Sequence, residues 1–226
     1  GSAMAPDTIA SVFGVNLASS PVSATAGQSL PTQLGGVSVE VNGVAAQLFF
    51  VSPSQINYLI PSGIAVGLRS VVVKNAAGEV ARGSIDVAPT SPAFFTASQN
   101  GSGVPAGYIT RVAAGSFQQT NEQIASYSNG TVTPIVIDRR GDAIYLILFG
   151  TGLRYAPNSN TANDIALVGG GTLVNVAESV EVTIGGKVAR VDFAGAQGGF
   201  YGLDQVNVLI PADAVASSTA PVIIKV

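Results

Sequence analysis

Gln55-Ile56-Asn57-Tyr58-Leu59-Ile60-Pro61 decides the fold, because the stretch occurs twice. It returns as Gln205-Val206-Asn207-Val208-Leu209-Ile210-Pro211. Both copies read as a buried strand closed by proline, whose missing backbone N–H cannot extend a ladder. Three further blocks repeat in the same order. Phe13-Gly14-Val15-Asn16-Leu17 matches Phe149-Gly150-Thr151-Gly152-Leu153 at an offset of 136. Val37 to Gly43 matches Val180 to Gly186 at 143, and Ser70 to Lys74 matches Pro221 to Lys225 at 151. The offset grows only between blocks, so insertions fall in loops and one fold is used twice.

Within the first copy the strand signals are short and closely spaced. Ile9, Ser11 and Phe13 alternate with Ala10 and Val12 in a strand that ends at Gly14. Residues 18–36 are rich in Ser, Ala, Thr, Pro and Gly and read as a loop. Val37, Val39 and Val41 point one way and Ser38, Glu40 and Asn42 the other, a half-buried strand. Asn42-Gly43 is a strong hairpin signal, and Val44 to Val51 is expected to return as the partner. Leu68 to Lys74 and Val80 to Val87 form another hairpin around Asn75-Ala76-Ala77-Gly78. No convincing helical period appears.

The fold class is therefore all-β, with two tandem immunoglobulin-like β-sandwich domains related by internal duplication. The expected domains are residues 5–92 and 93–226, divided at Ala88-Pro89-Thr90-Ser91-Pro92. Phe94 and Phe95 are expected to pack at the junction. The second domain is enlarged. Tyr108 to Val112, Glu122 to Tyr127 and Val132 to Ile137 read as added strands, with a turn at Ser128-Asn129-Gly130. Residues 154–179 make a longer loop than 18–36, and residues 194–204 replace Val51 to Ser54. The match ends at Val226, without a counterpart of Val80 to Val87. Gly1-Ser2-Ala3-Met4 reads as a cloning remnant outside the fold.

Composition excludes several function classes. Of 226 residues, 47% are hydrophobic and 10% charged, against roughly 25% charged in an average globular chain. The formal net charge is −3 and the ten Lys and Arg are scattered, so no footprint for nucleic acid or an anionic membrane exists. No apolar run reaches the roughly 18 residues of a membrane-spanning helix, so membrane insertion is not expected. Cysteine and histidine are absent, which rules out disulfides, thiolate metal sites, a serine triad and a thiol nucleophile.

The chain resembles an uncharacterised domain family found at the C-termini of secreted acidobacterial proteins of the Solibacter type. The segments that carry the likeness are Ile9 to Leu17, Gly43 to Pro61 with its Ser-Pro-Ser-Gln-Ile-Asn core, Phe149 to Leu153, and Phe193 to Pro211. The resemblance covers nearly the whole chain. It implies immunoglobulin-like sandwich modules on an exported protein, outside the cell or at its surface, and it implies no known activity. The family usually continues through one more strand beyond the block that ends here at Val226.

Candidate sites are few. Gln55 and Asn57 lie two apart on one strand face, as do Gln205 and Asn207. Either the pair grips a ligand, or the amides satisfy backbone groups of the neighbouring loop. Presence in both copies favours the structural reading. Gly195-Ala196-Gln197-Gly198-Gly199-Phe200-Tyr201-Gly202 either presents Phe200 and Tyr201 to a sugar ring, with Tyr155 as a third stacking residue, or caps the sandwich with one ring. Gly169-Gly170-Gly171 and the run Asn158 to Asp164 lack the carboxylates of a calcium loop. Asp138 and Asp142 flank a turn, and Asp192 and Asp204 bracket the aromatic loop, where they are candidates to approach each other. Lys74, Lys187 and Lys225 are candidates for a lysine-to-amide crosslink.

These features point to a non-catalytic extracellular structural, adhesion or display module that needs no cofactor or metal. Its expected partners are other domains of the same polypeptide or cell-surface proteins. The alternative is a carbohydrate-binding module whose ligand is polysaccharide. An open sheet edge at Val222 to Val226 is expected to invite strand addition.

Overall fold

The computed structural model describes residues 3–116, 118–153, 180–214, 217 and 219–226. Among these residues there is no helix, and every ladder between strands is antiparallel. None of the described residues forms a helix long and apolar enough to cross a membrane.

The first eight strands are β1 (Ile9–Phe13), β2 (Val22–Ser23), β3 (Ser38–Val41), β4 (Val44–Ala45), β5 (Gln47–Val51), β6 (Gln55–Leu59), β7 (Gly67–Asn75) and β8 (Gly78–Val87). They form two four-stranded sheets, β1-β6-β5-β2 and β4-β3-β7-β8. Inward residues of both sheets make one apolar cluster, with Val39, Val41, Leu48, Ile56, Tyr58 and Ile60 almost without solvent contact. The hairpin turn at Asn42-Gly43 has positive φ at both residues, 50° and 79°, which suits the twist of the strands it joins.

The expected single partner strand, Val44 to Val51, is corrected. Only Val44 and Ala45 pair with β3. The chain then crosses at Ala46 and pairs with β6 in the other sheet. Ala46 is fully buried, and its N–H still donates to Val39 O at 2.8 Å. A small side chain lets the strand turn this corner between sheets. The N-terminal residues also belong to the fold. Met4 N–H donates to Asp86 O at 2.8 Å, Ala88 N–H donates to Met4 O at 2.9 Å, and Met4 forms a parallel bridge with Val87.

Ten strands follow: β9 (Ala93–Phe94), β10 (Gly107–Val112), β11 (Gln119–Gln123), β12 (Ala125–Ser128), β13 (Thr131–Pro134), β14 (Ala143–Thr151), β15 (Glu181–Ile184), β16 (Lys187–Ala196), β17 (Asp204–Leu209) and β18 (Val222–Lys225). The main sheet runs β11-β10-β14-β17-β16-β15-β18, with β9 also on β14. A second apolar cluster forms on it around Ile109, Ile144, Leu148, Val182, Val206 and Val208. Strand β16 is continuous where β4 and β5 are divided, so it pairs with both β15 and β17 in one sheet.

The added strands differ from expectation in two places. The run Glu122 to Tyr127 is interrupted at Ile124, which turns into the core at 7% exposure. The run Val132 to Ile137 stops as a strand at Pro134. Strands β10 and β11 extend the main sheet, while β12 and β13 form a separate hairpin with a turn at Asn129-Gly130. Phe94 packs against the second cluster. Phe95 lies beside it and donates its N–H to Phe149 O at 3.0 Å.

Pairing repeats across the two halves. Phe13 faces Gln55 and Phe149 faces Gln205. A bulge separates Leu48 from Phe50 opposite Tyr58 and Asn57, and another separates Val191 from Phe193 opposite Val208 and Asn207. Val41 faces Val71, as Ile184 faces Val222. Asn42 N–H donates to Ser70 O at 2.8 Å, and Gly185 N–H donates to Pro221 O at 2.9 Å.

Candidate functional site

The repeated amide pairs bond to themselves. Gln55 Nε2 donates to Asn57 Oδ1 at 2.8 Å, and Gln205 Nε2 donates to Asn207 Oδ1 at 2.8 Å. Ser11 Oγ, on the neighbouring strand, donates to the same Asn57 oxygen at 2.8 Å. The expectation that these amides satisfy the loop backbone is corrected, because each pair bonds within itself, and before Gln55 it is Ser52 that bonds the loop backbone. Its hydroxyl accepts from the N–H of Ser54 and of Gln55 at 3.3 and 2.9 Å and donates to Gln55 O at 3.1 Å. A Ser three residues before a strand, in Ser-Pro-Ser-Gln, was the available signal.

The aromatic loop joins β16 to β17. Gln197 N–H donates to Leu203 O at 2.9 Å, and Gln197 Oε1 accepts from Gly199 N–H at 2.8 Å, so one residue braces the loop. Phe200 is 67% exposed, and Tyr201 beside it is half-buried. Tyr155, the third predicted stacking residue, lies outside the described residues. So do Asn158 to Asp164 and Gly169 to Gly171.

The same loop ties the two clusters together. Thr151 Oγ1 donates to Gly202 O at 2.8 Å and accepts from Ile9 N–H at 3.3 Å. A Cβ on Gly202 would fall 2.5 Å from Ile9 Cγ1 and 2.8 Å from Leu59 Cδ1. The glycine at 202 thus does more than permit a tight turn; it lets the loop lie directly on β1 and β6. Nearby, Ser91 N–H donates to Gly152 O at 3.0 Å, and Ser91 Oγ donates to Ala3 O at 2.6 Å. The predicted boundary segment is therefore hydrogen-bonded to both sides. Thr151 was not singled out in the sequence; the corresponding position of the earlier Phe-Gly-x-x-Leu block is Val15, which is 81% exposed.

A cavity of about 690 Å³ opens on the second cluster, with Phe94, Val104, Ile144, Leu146, Ile184 and Val222 among its apolar walls. Arg139 reaches its edge but donates to Ile210 O and Pro211 O at 2.9 and 2.8 Å, so its charge closes off strand-end carbonyls.

The predicted carboxylate pairs, Asp138 with Asp142 and Asp192 with Asp204, each engage other partners. Asp138 pairs with Arg140 at 3.3 Å on the surface. Asp142 accepts from Ala114 N–H at 2.9 Å and from Arg111 at 3.1 Å, and Glu122 binds the same guanidinium at 2.6 Å. Hydrogen bonds from Arg111 hold Glu122 below the usual carboxylate range. Asp142 is held low first by the Ala114 N–H and then by Arg111. Asp204 is fully buried and accepts from Leu153 N–H at 2.8 Å. It faces Ala196, whereas Asp192 pairs with Arg190 at 2.6 Å. Four positions along β16 separate Asp192 from Ala196, about 13 Å, so the suggested approach of Asp192 to Asp204 is corrected.

Each candidate lysine meets a carboxylate in a surface ion pair. Lys74 reaches Glu40 at 2.6 Å, Lys187 reaches Asp213 at 2.9 Å and Lys225 reaches Glu181 at 3.4 Å. Among the described residues no group of three or more acidic, histidine or cysteine side chains gathers as a metal site. Comparison of the chain with family models, curated proteins and solved structures returns no match.

Proposed function

We propose that this chain is a non-catalytic structural module of a larger exported or cell-surface protein, built as a stiff spacer from two immunoglobulin-like sandwiches of common origin. The observation that carries the reading is the seam at Ile9, Thr151 and Gly202. A hydroxyl there accepts from a backbone group on one side and donates to one on the other, and a glycine is required for contact. A freely jointed pair of domains needs neither. The repeated registers and bulges support common origin, and the Solibacter-type resemblance supports export. A module of this kind displays or spaces what is attached to it.

The test uses the absence of native cysteine. Spin labels at Ser84→Cys and Thr131→Cys, both exposed positions, report the distance between the two halves. A single narrow distribution is expected, broadened by Thr151→Val. A broad distribution in the parent chain rejects the stiff spacer.

Phe200 favours a second reading, polysaccharide binding. A phenylalanine that is 67% exposed on a braced loop beside Tyr201 suits sugar stacking. Glycan-array binding lost in Phe200→Ala and Tyr201→Ala supports it. No binding to any polysaccharide rejects it.

A further inference from the structure

Asparagine followed by glycine occurs three times, at Asn42-Gly43, Asn100-Gly101 and Asn129-Gly130, and all six residues are exposed. In such a dipeptide the glycine nitrogen can attack the asparagine side-chain carbonyl, because glycine has no side chain to stand in the way. The five-membered ring that forms needs Asn Cβ and the glycine nitrogen on the same side of the Asn Cα–C bond. The fold sets the three dipeptides apart.

At Asn100 both reacting groups are held. Gly101 N–H donates to Thr96 Oγ1 at 3.0 Å. Asn100 Oδ1 accepts from Ser98 Oγ at 2.7 Å and from Ser102 N–H and Ser102 Oγ at 3.0 Å each. Asn42 and Asn129 both sit in tight hairpin turns with left-handed backbone, φ 50° and 48°, followed by glycines at 79° and 75°. That conformation turns Asn Cβ away from the glycine nitrogen, so ring closure waits for the turn to open.

Opening is costly at one turn and cheap at the other. Asn42 N–H donates to Ser70 O at 2.8 Å, and the turn continues from Val39 and Val41, both fully buried and paired with β7. Asn129 is at the tip of β12 and β13, a ladder with no third strand. Residues 126–131 are all exposed. Among the described residues neither the Asn129 side chain nor the Gly130 N–H has a hydrogen-bond partner. A two-stranded hairpin is marginal in water on its own, so this tip opens locally.

We propose that Asn129 is a site of self-modification, converting to isoaspartate and aspartate far faster than Asn42 or Asn100. The Gly130 nitrogen gives up its proton to solvent and bonds to Asn129 Cγ. The Cγ–Nδ2 bond breaks, and ammonia leaves after taking up a proton from solvent. Water then opens the cyclic imide at either carbonyl. One opening gives aspartate; the other gives isoaspartate, whose main chain runs through Cβ and Cγ and is longer by one carbon. The net change is amide and water to carboxylate and ammonium, with no oxidation. Isoaspartate does not fit a two-residue turn, so Ser128 loses its pairing with Thr131. Val132 and Pro134, farther along the same hairpin, line the cavity on the second cluster, so that wall loosens as the chain ages.

Trypsin separates the three dipeptides, because cleavage after Arg69, Arg82, Arg111 and Arg139 leaves Asn42, Asn100 and Asn129 in different peptides. The intact folded chain is held at mildly alkaline pH and digested at intervals. Peptide 112–139 is expected to gain about 1 mass unit, placed at Asn129 by fragmentation and partly as isoaspartate, at least about tenfold faster than peptides 1–69 and 83–111 gain theirs. In urea the three rates converge, because no turn then holds any of them. The aged chain, separated by its added charge, exchanges the amides of β12 and β13 faster and those of β3 at the parental rate. Equal rates for Asn129 and Asn42 in the folded chain overturn the proposal. So does a spread of rates that persists in urea, which owes nothing to the fold. Parental exchange in β12 and β13 of the aged chain overturns the loosened wall.

Discussion

Asn16 and Gly152 occupy the same position in the repeated Phe-Gly-x-x-Leu block, and both have positive φ, 55° and 91°. Their surroundings differ. Asn16 is exposed. A Cβ at 152 would lie 2.1 Å from Ser91 O and 2.7 Å from Ser91 C. Substitutions at the two sites therefore separate backbone conformation from space. Asn16→Ala meets only the left-handed penalty and costs about 1 kcal/mol. Asn16→Gly is close to neutral. Gly152→Asn keeps a residue that tolerates this conformation, so its cost is spatial. The Ser91 carbonyl has to retreat by more than an ångström, which breaks the 3.0 Å bond from Ser91 N–H and strains the Gly150–Phe94 pairing. Two or three weakened hydrogen bonds and local overpacking together amount to about 2–4 kcal/mol. Gly152→Ala adds about 1 kcal/mol for conformation. Guanidinium unfolding followed by tyrosine fluorescence measures all four. A Gly152→Asn protein within about 0.5 kcal/mol of the parent would refute the assignment of this glycine to close backbone approach.

Three other outcomes are expected. Burial pushes the Tyr58 hydroxyl up to about 12, so the neutral form is bound more tightly in the folded chain. That stability is complete below pH 10 and lost as pH rises towards 12, about 3 kcal/mol in all; Tyr58→Phe removes this share of the alkaline loss, and an unchanged alkaline profile in the variant contradicts it. Glu122 and Asp142 lie below their ordinary values of 4.5 and 3.8, so their contribution is present above those values and lost as pH falls through the folded ones. The melting temperature drops below about pH 4, and Arg111→Gln weakens that acid dependence while lowering stability at neutral pH. Finally, intact mass equals the sequence mass, because Lys74, Lys187 and Lys225 meet carboxylates in open ion pairs; a deficit of about 17 or 18 mass units, ammonia or water, contradicts this.

What could be read from the sequence was local or repeated. Alternation at Val37 to Val41, the Asn42-Gly43 turn and the Leu68 to Val87 hairpin each rest on a few neighbouring residues, and the structure keeps them. The crossing at Ala46 was hidden because alternation tells which face a residue takes, not which sheet its strand joins. Ile124 reads as one more strand residue until the hairpin that follows pulls it inward. The Arg111 cluster joins residues 11 and 31 positions apart, and neither spacing carries a signal in a strand. At the candidate site the glycine-rich setting left open whether Phe200 and Tyr201 are presented or one ring caps the sandwich; Phe200 is exposed and Tyr201 half-buried. The contact of Gly202 with Ile9 and Leu59 depends on chain from the far half of the molecule.

The bond from Ile9 to Thr151 spans 142 residues of chain. During synthesis the opening strand emerges long before its clasp exists, and Gly202 follows later still. Closing so large a loop early costs entropy that few contacts return. Each cluster draws on strands nearer in sequence than that, so the join between them is the costlier contact to close. The Ile9 amide, whose acceptor lies on β14, is therefore a probe of that join by hydrogen exchange.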